Sequence, residues 1–211
     1  MNARSYNLNP EHAKSADSGG NRITETGKYI GKFTRAEAVT SKQKTEGLEF
    51  TFVSNAGQEA DFLSCWTYNV EGKELFGLKV LNALMTCTKV RSIAPSEATI
   101  EKFDNGEKKQ VKTTIFRDLM DKPIGLLLQR EAYEKNNGAE GYKFNIVGCF
   151  EASTELTASE ILDKKTTPER LGRMVASLKD KPASKRSGSS HPNAPGNDCG
   201  ADNGFSDDIP W

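Results

Sequence analysis

The chain is 211 residues long, with 29 basic and 29 acidic side chains, a size that suits one domain with tails. No stretch approaches the ~18 consecutive apolar residues of a membrane span, and residues 1–20 lack the apolar run of a secretory leader. A cytoplasmic protein that touches no membrane is expected. The zero net charge conceals an asymmetry: Asp198, Asp202, Asp207 and Asp208 all follow the last basic residue, Arg186, so the first 186 residues carry +4 and the remainder −4. A basic body with an acidic extension suggests a nucleic-acid surface, although so small a surplus does not establish one by itself.

Residues 1–26 are polar and without periodicity and read as a flexible arm. Over 28–39, Tyr29, Gly31, Phe33 and Arg35 alternate with Ile30, Lys32, Thr34 and Ala36, which predicts a first strand. A polar connector with Lys42 and Lys44 leads to a second strand at 48–54, where Leu48, Phe50 and Phe52 share a face. Asn55-Ala56-Gly57 is turn chemistry. A third strand at 59–69 puts Phe62, Ser64, Trp66 and Tyr68 on one side and Leu63, Cys65 and Thr67 on the other. At 75–86 the period changes: Leu78, Leu81 and Met85 fall on one helical face beside Val80 and Leu84, which predicts a largely buried helix. Residues 87–122 are less regular. Asp104-Asn105-Gly106 suits the turn of a charged hairpin, and 115–120 a short helix.

A fourth strand is expected at 124–133, a turn at Asn136-Asn137-Gly138 and a fifth strand at 142–150. Thr157-Ala158-Ser159-Glu160 reads as a capping box. Thr167-Pro168 offers an N-cap and first residue for a last helix, and Leu171, Met174, Val175 and Leu178 form its apolar stripe. From Lys181 the chain turns to Pro, Ser, Gly, Asn and Ala, a composition that cannot bury a core. The order strand–strand–strand–helix–strand–strand is that of an oligonucleotide-binding barrel. The expected architecture is therefore mainly β: a five-stranded barrel over 27–152 with a helix between strands three and four, a helical extension over 153–180, and a disordered acidic tail over 181–211.

The last five residues, Asp207-Asp208-Ile209-Pro210-Trp211, make a compact ligand. The carboxylates can meet cations on a partner, Pro210 lowers the entropy lost on binding, and Trp211 can fill an apolar pocket. This tip resembles the acidic C-terminal tip of bacterial single-stranded DNA-binding proteins, which ends in Asp-Asp-Ile-Pro and an aromatic residue, with Trp here in place of the usual Phe. Four further runs carry a second resemblance. They are Ser64-Cys65-Trp66-Thr67-Tyr68-Asn69, Lys122-Pro123-Ile124-Gly125-Leu126-Leu127-Leu128-Gln129, Tyr142-Lys143-Phe144-Asn145-Ile146-Val147-Gly148 and Leu156-Thr157-Ala158-Ser159-Glu160-Ile161-Leu162. Across roughly 27–178 the chain is similar to the phage-encoded single-stranded DNA-binding proteins of enterobacterial viruses and integrated elements. The resemblance implies a protein that coats single-stranded DNA in replication or recombination. It also implies that the tip recruits host or phage helicases, nucleases or recombination proteins. The barrel sequence, the extra helices and the short tail depart from the bacterial host protein, which leaves the oligomeric state open, a homo-oligomer included.

Binding single strands without base preference needs aromatic faces for stacking and cations along the phosphate path. Trp66 and Tyr68, two apart on the third strand, are the candidate stacking pair, and for Trp66 a place in the core beside Phe62 is the competing reading. Candidate phosphate and base contacts are Arg35, Lys42, Lys44, Lys73, Arg130, Tyr133 and Lys143, with Lys102, Lys108, Lys109 and Lys112 of the charged hairpin in addition. Partner binding is assigned to Asp207, Asp208, Ile209, Pro210 and Trp211. Cys65, Cys87, Cys149 and Cys199 form no C-x-x-C pair and read as reduced thiols. His12 and His191 lie in the low-complexity ends, Glu97, Glu101, Glu107 and Asp118 lack metal-ligand spacing, and no glycine-rich phosphate loop is present. No enzyme, metal or cofactor is expected. The rival function is an adaptor that mimics the host tip and competes for host replication and repair proteins without a DNA role of its own.

Overall fold

The computed structural model describes residues 21–104, 107–135 and 138–183, with the backbone alone for 102–104 and 107–108. Its strands are β1 (Gly27–Thr40), β2 (Glu46–Ser54), β3 (Glu59–Tyr68), β4 (Ser96–Asp104), β5 (Glu107–Ile115), β6 (Pro123–Glu134) and β7 (Glu140–Phe150). Its helices are α1 (Phe76–Cys87), α2 (Ala158–Leu162) and α3 (Arg170–Ser177). Among the described residues no helix is long and apolar enough to cross a membrane.

The period-two patterns place β1, β2 and β3 as an antiparallel meander, and β6 and β7 as a second antiparallel pair. β1 belongs to both: its first residues, 27–32, pair with β6 and its later residues, 31–40, with β2. A register shift between Phe33 and Arg35 marks the irregularity where one partner replaces the other, which is what a bulge does to a strand that must turn between two neighbours. The core lies inside this bend. Phe33 packs its ring on Phe50 at 4.5 Å and against the edge of Phe52 at 6.0 Å. Leu63, Leu84, Leu119, Ile124, Leu126 and Leu128 close around them, all fully buried. Each such side chain contributes roughly 1.5–3 kcal/mol of transfer free energy.

The five expected strands lie within one or two residues of β1, β2, β3, β6 and β7, but the sheet has seven strands rather than five. The additions are β4 and β5, the two arms of the charged hairpin. Glu97, Thr99 and Glu101 face solvent while Ser96, Ala98 and Ile100 are half-buried, so charge obscured a real alternation. The hairpin joins the sheet where Glu37 pairs with Ile115 and Phe116 N–H donates to Ala36 C=O at 2.8 Å. Its turn residues Asn105 and Gly106 lie outside the described residues, as do Asn136 and Asn137. The short helix expected at 115–120 is a single 3-10 turn, Arg117–Leu119, which sinks only Leu119 into the core. Residues 21–26, read as part of the arm, are held by the fold: Ile23 is buried, and its N–H donates to Glu59 C=O at 2.8 Å.

The hydrogen-bonded path runs β3-β2-β1-β5-β4, with β6 on β1 and β7 on β6. Among the described residues no ladder joins β3 to β7, so the sheet is open. α1 packs against both of these edges. Its C-terminal Cys87 meets Cys149 of β7 at 3.7 Å, and Cys65 of β3 donates its thiol hydrogen to Gly77 C=O at 2.9 Å.

β6 is apolar on both sides for a structural reason. Leu126 and Leu128 enter the main core, while Leu127 and Phe150 form a second cluster with Leu171 of α3, flanked by Met174 and Leu178. Phe150 lies so close over Gly125 that a Cβ there would stand 2.1 Å from the ring. The capping box is present: Thr157 N–H donates to Glu160 Oε2 at 2.9 Å. α3 starts later than expected, with Glu169 rather than Thr167 as its N-cap. The other oxygen of Glu160 accounts for the shift, accepting from the N–H groups of Glu169 (2.7 Å) and Arg170 (2.9 Å). One buried carboxylate thus caps two helices. Burial pushes its pKa up, but these bonds and the Thr157 hydroxyl outweigh burial and hold it at about 2.

Candidate functional site

β3 alternates as its sequence dictates. Leu63, Cys65 and Thr67 are buried, while Phe62, Ser64, Trp66 and Tyr68 face outward. Trp66 is half-buried rather than part of the core. Its indole lies across the neighbouring strand over Gly47, where a Cβ would stand 2.9 Å from Trp66 Cε3. Gly47 is the register partner of Trp66, so the absent side chain makes the room for the ring. Tyr68 is also half-buried, beside Glu46.

Phe62 is the residue that sequence reasoning passed over as a site member. It is 67% exposed and has φ of 59°, a left-handed conformation that is costly for a bulky side chain. The register shift between Phe50 and Phe52 of β2 falls at the same point. The alternation had already put Phe62 on this face, but an aromatic residue in a strand is usually core, and exposure could not be read from the pattern.

The cations divide into two groups. Thr40, Glu46 and Tyr68 stand at one end of the meander through their register. The β1–β2 connector bearing Lys42 and Lys44 lies there, and so does Lys73, whose N–H donates to Asn69 Oδ1 at 2.8 Å. These three lysines are exposed, and among the described residues none forms an ion pair. Arg35 lies on the same outward face but is engaged by Glu49 at 3.3 Å.

Arg130, Tyr133 and Lys143 sit on the far part of the β6–β7 hairpin, beyond the pairing of Leu128 with Gly27 at the start of β1. They are therefore at the opposite end of β1 from Lys42 and Lys44. Arg130 stacks over the Tyr142 ring at 4.6 Å and reaches Asp180 at 3.7 Å. Lys143 is held by Glu131 at 3.4 Å, on the face it shares with Tyr133. Burial pushes Glu131 up, but the Asn145 amide and the Lys143 and Lys181 ammonium groups outweigh it and keep the carboxyl below its usual range. The structure thus gathers Trp66, Tyr68, Lys42, Lys44 and Lys73, and separates Arg130, Tyr133 and Lys143 from them.

The Phe62 end of the face is electrostatically different. Asp61 accepts from the Thr51 hydroxyl at 2.9 Å and pairs with Arg22 at 3.2 Å. Burial first, and then the hydrogen bond and charge of Asp61, raise the pKa of Glu59. Arg22 balances one of these carboxylates, and exposed Glu46, Glu71 and Glu74 stand beside the three lysines at the other end.

Asp207, Asp208, Ile209, Pro210 and Trp211 lie outside the described residues, as do Cys199, His12 and His191. The other three cysteines, distant in sequence, are buried around α1. Burial pushes the Cys65 thiol up to about 12, which removes its nucleophilic thiolate at neutral pH. No model of a known protein family matches the chain, and no curated protein shows significant similarity to it.

Proposed function

We propose that the chain binds single-stranded DNA along the outward face of β3. The observation that carries the reading is the row of exposed Phe62 and half-buried Trp66 and Tyr68 on one face, ending beside three lysines that form no ion pair among the described residues. Trp66 and Tyr68, two apart on the strand, stand roughly 7 Å apart, and Phe62 and Trp66, four apart, roughly 13 Å, about two and four times the 3.4 Å rise per nucleotide of a stacked strand. A stretched single strand can present one base to each ring and its phosphates to Lys42, Lys44 and Lys73. Stacking of this kind is tolerant of sequence because every base has a π-face.

In this reading the sheet is an oligonucleotide-binding barrel. β1, β2, β3, β6 and β7 supply its five strands, α1 bridges the two edges that hydrogen bonds leave open, and the β4–β5 hairpin is an insertion. Residues 207–211 recruit partner enzymes acting on the coated strand, in replication or recombination of a phage or mobile element. The tethered tip raises their local concentration.

Titration with oligo(dT) tests the DNA reading. Phe62→Ala and Trp66→Ala should each weaken binding by about 1–3 kcal/mol without lowering the melting temperature in proportion. Log affinity should fall with log salt at a slope of roughly −0.7 per phosphate neutralised. A double variant that binds as tightly as the native chain, or a preference for duplex, refutes the proposal and leaves the adaptor reading. Deleting residues 205–211 should spare DNA binding and abolish partner capture.

A further inference from the structure

A groove of about 560 Å³ runs between α1, β7 and α3, on a side of the molecule to which β3 contributes no lining residue. Its volume falls within the roughly 300–1,000 Å³ typical of ligand sites. Its apolar surface includes exposed Phe76 together with Val80, Val147 and Met174, the last three half-buried against the two core clusters. Lys79, Arg170 and Arg173 supply its charge, and among the described residues no Asp or Glu lines it. Arg170 is half-buried and donates to Ser159 Oγ at 3.1 Å, whereas Lys79 and Arg173 are exposed. Such a groove suits an anionic peptide with a large apolar anchor.

We propose that this groove is the docking site of the chain's own segment 207–211. Two arguments select that occupant. The first is complementarity: the stretch after Arg186 carries four Asp and no cation, and it ends in Ile209, Pro210 and Trp211, the apolar counterparts of the groove floor. The second is reach. α3, which forms one wall, ends at Ser177, and the described chain ends at residue 183. From there to Asp207 lie 23 residues rich in Gly, Ser and Asn, a composition and length that as a free chain would reach roughly 25–30 Å root-mean-square. The tip is therefore held at high effective concentration beside the groove, and modest intrinsic affinity suffices. Trp211 seats between Val80 and Met174, and Asp207 and Asp208 meet Lys79 and Arg173. A docked tip is withheld from partner proteins. The proposal does not depend on whether the β3 face binds DNA.

The test uses the full chain labelled with 5-fluorotryptophan and contains no DNA. Its two fluorine resonances, from Trp66 and Trp211, are assigned with Trp211→Phe, and a labelled synthetic peptide of residues 206–211 gives the undocked reference. The Trp211 resonance should lie away from the reference and move onto it in Lys79→Glu/Arg173→Glu. It should do the same in Asp207→Asn/Asp208→Asn, whose changes lie outside the described fold. A native resonance that coincides with the reference overturns the proposal. So does a displaced resonance that both double variants leave in place. A displacement that disappears on dilution together with a dimer in sedimentation also overturns it, because the occupant is then the tip of a second copy.

Discussion

The outer face of the β6–β7 ladder carries Leu127, Val147 and Phe150, and the outer face of β3 carries Phe62, Trp66 and Tyr68. Both are apolar surfaces on the side of the sheet away from the main core. The first is covered, because Leu171 and Met174 of α3 and Leu178 just after it lie on it. The second is left open, with Phe62 67% exposed and held in a left-handed conformation. An aromatic ring so exposed is costly to keep in water. The same chain builds a helix over one apolar face and leaves the Phe62 end of the other in water.

The comparison breaks most sharply at Phe150. It is fully buried between Gly125 and α3, and Phe150→Ala should cost about 3–5 kcal/mol in a denaturant or thermal melt. Trp66→Ala on the open face should cost no more than about 1 kcal/mol of stability. Equal losses at the two positions would mean that both faces are core. The cover on the first face also depends on Glu160, which caps α2 and α3 together. Glu160→Ala should cost about 1–3 kcal/mol, since two helix ends lose their acceptor.

Acid should act through the same residue. The folded carboxyl titrates at about 2, below its ordinary value of 4.5. The stability it supplies is therefore complete above pH 4.5 and drains away as pH falls towards 2. A melt series from pH 6 to pH 2 should show this loss in the native chain, and a smaller one in Glu160→Gln. An equal loss in both would assign the acid sensitivity elsewhere. The smallest expected effect sharpens the comparison from the other side. Phe62→Gly relieves the strain of a positive φ and should raise stability by about 0.5–1 kcal/mol, while weakening oligo(dT) binding. Opposite signs in the two assays would mark Phe62 as a residue kept for a ligand at the expense of stability.

The strands β1, β2, β3, β6 and β7, and the helix α1, were legible in the sequence because their side-chain periods are local: two for a strand, 3.6 for a helix. The capping box at Thr157 was legible for the same reason, since its partners are three residues apart. So was the shared face of Phe62, Trp66 and Tyr68. Local pattern does not say which face of a strand another element will cover. Whether Trp66 is core or surface depended on α3 packing against β6 and β7 and leaving β3 alone, a choice made by contacts far apart in the chain. The same holds for the cations. Lys73 joins Lys42 and Lys44 only through the register of β2 with β3, while Arg130 and Lys143 are drawn to the other end of β1 and paired there with Asp180 and Glu131. The β4–β5 hairpin was legible only at its Asp104-Asn105-Gly106 turn: charge masks the alternation of β4, and Lys109, Gln110, Val111 and Lys112 of β5 are all exposed and show none. The later start of α3 required a carboxylate from a different helix. Residue type and local spacing determined which elements form and which side chains share a face. Long-range pairing and packing decided which of those faces meets water.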